Sequence, residues 1–150
     1  MNLRSSRFRS IIRLLWYWLP PLVEMAAIFV ASAQSSLPQA KGEWLDAFIK
    51  KVAHVGEYTL LFLLLVRAWS LHARLPVAGP AGWLTTLAYA ISDEIHQSFV
   101  PNRHANWYDV VIDVAVPLLL YLFYTLAVRR GVTFRWPGWL FNSQDKDLSK

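Results

Sequence analysis

Four mostly apolar blocks, each near the length that crosses a hydrocarbon layer, constrain this chain more than any other feature. A helix needs about 20 such residues to span a bilayer core. The blocks run roughly from Leu14 to Ala33, Val52 to Leu71, Gly79 to Gln97 and Tyr108 to Val128. The first contains Pro20-Pro21 and Glu24. The second is most apolar between Leu60 and Val66, and the third is short and ends in polar residues. The fourth opens with Asp109 and Asp113, then runs from Val114 to Val128 without a charge. Folded as a soluble bundle, these blocks leave almost no polar surface in a chain of 150 residues. Only 17% of residues are charged, against about a quarter in soluble domains. Disorder is excluded, and without Cys so are a disulfide scaffold and a cysteine-ligated metal. The expected architecture is an all-α integral membrane protein, a four-helix antiparallel transmembrane bundle. Residues 1–150 form one domain, with a core of about 14–128 and, over 129–150, an interfacial segment and a loose polar tail.

Arginines decide direction. The start Arg4-Ser5-Ser6-Arg7-Phe8-Arg9 has the outline of a signal peptide. Apart from Ala31-Ser32-Ala33, no small-x-small site follows a short apolar region, so the first span reads as retained. With the N-terminus inside, the cytoplasm receives Arg4, Arg7, Arg9, Arg13, Arg67, Arg74, Arg129, Arg130, Arg135, Lys146 and Lys150. The outside receives Lys41, Lys50, Lys51 and Arg103. The positive-inside rule then places both termini in the cytoplasm. Trp16, Trp18, Trp69, Trp83, Trp107, Trp136 and Trp139 fall near span ends, where indoles favour the interface. A pI near 9.7 is thereby explained by topology, and nucleic-acid binding is not expected.

In this orientation most acidic residues, namely Glu43, Asp46, Glu57, Asp93, Glu94, Asp109 and Asp113, gather in the outer half with His54, His96, His104, Gln97 and Arg103. Ionisable residues inside spans are costly and normally face a cavity or one another. Helical spacing puts Lys51, His54, Glu57 and Tyr58 on one face of the second span. Asp93, His96 and Gln97 share a face of the third beside Glu94, and Asp109 and Asp113 are four apart on the fourth. These faces are expected to enclose an outward polar pocket. Its chemical residues are His54, Glu57, Asp93, His96, Arg103 and Asp109, with Lys51, Tyr58, Glu94, Gln97 and Asp113 binding the ligand.

The segments Lys51-Val52-Ala53-His54-Val55-Gly56-Glu57-Tyr58 and Ser92-Asp93-Glu94-Ile95-His96-Gln97-Ser98-Phe99-Val100-Pro101-Asn102-Arg103, followed by Asp109-Val110-Val111-Ile112-Asp113, resemble the VanZ-like membrane protein family. Ser32-Ala33-Gln34-Ser35 is similar to the short motif ending that family's first span. The resemblance covers about residues 30–125 and implies a bacterial, multi-pass protein of the cytoplasmic (inner) membrane. It also implies a link to low-level resistance to the glycopeptide teicoplanin, the property of the accessory protein after which the family is named. The chain departs from the family pattern at Asp113, where Asn is usual. It departs again at Val114-Ala115-Val116-Pro117, where a small, Gly-containing stretch is normal.

Three activities fit these residues. Arg103-x5-Asp109-x3-Asp113 has the spacing of a motif of membrane lipid phosphatases, with Asp where their nucleophilic His stands. There Arg grips phosphoryl oxygens, a carboxylate serves as nucleophile or base, and His54 or His96 protonates the leaving oxygen. His54, Glu57, Asp93, His96 and Asp109 form a candidate metal set, although no cofactor is identified. Glu24 beside the proline pair fits a proton relay in a transporter or lipid flippase. A non-catalytic accessory or structural role, with the polar residues forming a salt-bridged clasp, is the remaining alternative. The pocket is expected to bind or act on an anionic cell-envelope lipid or a lipid-linked precursor. Membrane lipids are the expected partners, and the oligomeric state is left open.

Overall fold

A computed structural model shows four α-helices, α1 (Leu3–Ser32), α2 (Glu43–Trp69), α3 (Leu75–Gln97) and α4 (Trp107–Arg129). The structure describes residues 3–34, 43–101, 103 and 106–132, and no strand occurs among them. The expected polar tail, with Trp136 and Trp139, lies outside the described residues, as does His104.

Two helix boundaries differ from the sequence expectation. α2 begins at Glu43 rather than near Val52. Trp44, Leu45, Phe48 and Ile49 recur at helical spacing, so the helix starts before the apolar span does. Lys50 and Lys51 are therefore helical. α3 begins at Leu75, with Pro76 in its first turn where a missing N–H costs nothing. It has 23 residues, as α4 does.

α1 passes through Pro20-Pro21 as continuous helix. A proline removes the donor that the carbonyl four residues earlier would use, so Trp16 and Tyr17 lose their helical partners. Arg67 of α2 supplies a substitute. Its Nη1 donates to the Trp16 carbonyl at 3.0 Å. The guanidinium lies 4.5 Å from the Tyr17 ring centre and 5.8 Å from that of Trp16. A cation in the apolar stretch of α2 thus has a defined task, and it is 4% exposed.

Contacts follow a regular order along the helices. Trp18 of α1 meets Trp69 at the end of α2, and Ser32 at the other end of α1 meets Asp93 of α3. Trp69 donates to Thr85, and Tyr58 reaches Asp93. Between α2 and α4, Lys51 meets Asp109 and Phe62 meets Tyr121. Between α3 and α4, Glu94 accepts from the Asn106 backbone N–H, and Trp83 donates to the Val114 carbonyl. Ile28, Tyr58, Leu61, Leu65, Ala90 and Val114 form the main core. Trp83, expected near an interface, packs against this core from the middle of α3, and Trp18 and Trp69 pack on each other.

α2 and α3 approach closely where Gly82 faces Val66. A Cβ on Gly82 would stand 2.7 Å from Val66 Cγ2 and 3.0 Å from its backbone nitrogen. Backbone cannot swing aside as a side-chain tip can. Gly82→Ala is therefore expected to destabilise the bundle by about 1–3 kcal/mol, read as a lowered melting temperature in detergent.

The core is thin and the exterior apolar. α1 over Arg7–Ser32 and α4 over Trp107–Arg129 are long and apolar enough to cross a membrane, with mean hydropathies of 1.6 and 2.1. Their apolar windows are only 11% and 17% buried, whereas the core helix of a soluble protein would be mostly covered. Leu15, Leu22, Val30, Leu119, Phe123 and Leu126 all face outward. An apolar exterior of this extent marks an interaction surface.

Candidate functional site

The polar residues meet at the end of the bundle where α1 and α3 finish and α4 begins. They form two adjoining groups, a buried hub and an open cleft.

Asp93 is the hub. Its Oδ2 accepts from Ser32 Oγ at 2.9 Å, Gln97 Nε2 at 2.9 Å and Tyr58 OH at 3.2 Å. Asp93 is 3% exposed and Ser32 1%. One carboxylate oxygen therefore holds donors from α1, α2 and α3, which is how a buried charge is made tolerable. Asp93 Oδ1 has no hydrogen-bond partner among the described residues. Gln97 reaches the same oxygen because residues four apart stack on one helix face.

The cleft lies beside the hub, with a volume of about 130 Å³. Lys50, Lys51, His54, Glu94, Gln97, Arg103, Asp109 and Asp113 line it. Lys51 Nζ is 2.8 Å from Asp109 Oδ1 and 3.9 Å from Asp113 Oδ1, and His54 Nδ1 is 3.6 Å from Asp113 Oδ2. The second and third distances exceed a hydrogen bond. His54 Nδ1 and Asp113 Oδ1 accordingly lack hydrogen-bond partners among the described residues. Asn106 caps α4, its side chain accepting from Tyr108 N–H at 3.2 Å, which fixes the turn that presents Asp109. Arg103 donates to the Gln34 carbonyl at 3.3 Å and the Ala31 carbonyl at 3.4 Å. It thereby engages the carbonyl end of α1, where a cation is favoured, while also lining the cleft.

The expected site residues thus separate by helix geometry. Lys51, His54, Glu94, Gln97, Arg103, Asp109 and Asp113 come together around the cleft. Tyr58 stacks beside His54 but ends on the hub. Glu57 does not line the cleft and sits within electrostatic reach of Glu24 in α1. Adjacent residues lie about 100° apart on a helix, so Glu57 and Tyr58 cannot serve one face. His96 stacks on Phe29 of α1, with ring centres 4.2 Å apart, and does not line the cleft. The proposed five-residue metal set is consequently dispersed. Among the described residues no three His, Asp or Glu converge in a way that could hold an ion. The spacing Arg103-x5-Asp109-x3-Asp113 does bring its three residues to one cleft.

Sequence reasoning passed over Ser32, although it stands in the Ser32-Ala33-Gln34-Ser35 motif. A hydroxyl at the end of an apolar span was the available signal. It also passed over Lys50 as a cleft residue, because the second apolar block begins only near Val52.

A family model described as VanZ/LLP1 matches residues 2–128 of the chain. No curated protein and no solved structure matches it.

Proposed function

Because this chain belongs to the VanZ/LLP1 family, we propose that it is a multi-pass protein of the bacterial cytoplasmic membrane. In this reading its polar cleft faces outward and binds or acts on an anionic cell-envelope lipid or lipid-linked precursor. All four helices span the bilayer in alternating directions, and both termini lie inside. The contact order along the helices supports the alternation, and the apolar exteriors of α1 and α4 support the membrane setting. The observation that carries the ligand reading is the placement of Lys51 and Arg103 on one cleft at the end of the helices. Head-group phosphates sit at that depth, and Arg forks and Lys point charges are the side chains that bind them. Any link to glycopeptide tolerance follows from occupation of such a lipid.

Two measurements test this. The chain has no Cys, so single cysteines report topology without background. Phe99→Cys is expected to react with an impermeant maleimide on intact cells, and Arg130→Cys only after lysis. The reverse pattern overturns the outward cleft. The second measurement is phosphate release from polyprenyl pyrophosphate by the purified protein. Release that disappears in Asp109→Asn assigns a lipid phosphatase, with Asp109 and Arg103 as its working groups. Lipid binding without release assigns a recognition or accessory protein.

A further inference from the structure

Cations alone do not describe this cleft. Lys50, Lys51 and Arg103 are matched there by Glu94, Asp109 and Asp113. A site built for bare phosphate or pyrophosphate would carry surplus positive charge and no buried carboxylate facing the ligand. Asp113 contradicts that pattern. Its side chain is 5% exposed, it lines the cleft, and its Oδ1 has no hydrogen-bond partner among the described residues. The Lys51 ammonium, at 3.9 Å, is beyond hydrogen-bond reach and is held by Asp109 at 2.8 Å. A buried carboxylate oxygen left in this state accepts whatever donor enters the cleft, because leaving it unmatched is costly.

We infer that the cleft takes a phosphodiester head group that carries its own hydrogen-bond donor, a hydroxyl or ammonium one short arm from phosphorus. Phosphoryl oxygens meet Lys51 and Arg103, and the donor meets Asp113 Oδ1. The inference rests on the lipid-binding reading above and names the class of head group. The space agrees with it: about 130 Å³ is close to that of a cavity enclosing one benzene-sized group. It accommodates a phosphoryl group with a short arm but does not enclose a disaccharide.

The test compares head groups on the purified full chain. Short-chain phosphatidylglycerol and phosphatidylmethanol each carry one negative charge and differ in the hydroxyls. Phosphatidylethanolamine, a zwitterion, carries an ammonium arm instead, and glycerophosphoglycerol keeps the phosphodiester and its hydroxyls without the acyl chains. Phosphatidylglycerol and phosphatidylethanolamine are expected to bind at least about tenfold tighter than phosphatidylmethanol, the gain from matching one buried oxygen that otherwise has no partner among the described residues. Asp113→Leu is expected to reduce that ratio to about twofold or less, chiefly by raising phosphatidylmethanol affinity as a carboxylate 3.9 Å from Lys51 is removed. If this variant does not fold, the wild-type ratio decides. Equal binding of phosphatidylmethanol overturns the inference and leaves the lipid reading standing. Absence of binding by all three lipids overturns both. Glycerophosphoglycerol binding as tightly as the lipids keeps the donor-bearing phosphodiester but moves its source into solution, overturning the lipid reading.

Discussion

Asp93→Ala is expected to lower the unfolding free energy by about 3 kcal/mol or more, from three buried donors losing one acceptor. Ser32, Tyr58 and Gln97 all donate to the Oδ2 of Asp93. They come from three helices, so truncation also releases the ties between them. Tyr58→Phe removes a single donor and is expected to cost about 1 kcal/mol. Asp93→Asn falls between these, since its amide oxygen can take the place of Oδ2 for all three donors but is a neutral, weaker acceptor than a carboxylate. Reversible unfolding in mixed micelles, followed by Trp fluorescence, reads all three. Trp18, Trp69 and Trp83 flank the core and report its opening. An Asp93→Ala protein as stable as Tyr58→Phe would show that the carboxylate does not hold the helices together.

Charge reversal at Lys51 is the second large effect. Lys51→Glu would set a third acidic group against Asp109, 2.8 Å from the present ammonium, and against Asp113. Affinity for phosphatidylglycerol is expected to fall by about a hundredfold, because the reversal removes a phosphate-binding cation and sets a like charge against the lipid phosphate in its place. The double variant Lys51→Glu with Asp109→Lys restores opposite charges across the same gap. It is expected to recover folding stability fully and lipid affinity in part, because the cation then stands on α4. Lipid titration and thermal melting of the wild type, Lys51→Glu, Asp109→Lys and the double variant separate the two contributions. No loss of affinity in Lys51→Glu would remove this lysine from the binding site.

Much of this was legible from the residues, for reasons that differ by element. The helices followed from apolar length, and the cleft from spacing. Lys51 and His54, three apart, and Asp109 and Asp113, four apart, do face one another across α2 and α4. Spacing failed where a stripe was drawn too wide. Glu57 and Tyr58 were given one face, although one helical step separates them, and only Tyr58 reaches the hub. His96 had correct spacing to Asp93 but turned toward Phe29, because its ring found an aromatic partner on α1. Such a choice depends on which helix lies alongside, and periodicity carries no information about neighbours. The same limit hid Arg67. Only the pairing of α1 with α2 shows that a proline in one helix has prepared an acceptor for an arginine in the other.

The hub also sets an order of events during synthesis. Ser32 and Asp93 are 61 residues apart in the chain. At the roughly 5–20 residues per second of translation, that separation amounts to several seconds or more. The first helix enters its surroundings with the Ser32 hydroxyl lacking its eventual acceptor. The second arrives with the Tyr58 hydroxyl in the same condition. The first two helices can already meet through Arg67 and the Trp16 carbonyl and through Trp18 and Trp69. The tie at the other end cannot close until the third helix brings Asp93, and Arg103 follows only after that to fasten the end of the first. A chain stopped before Asp93 would keep the first set of contacts and lack the second.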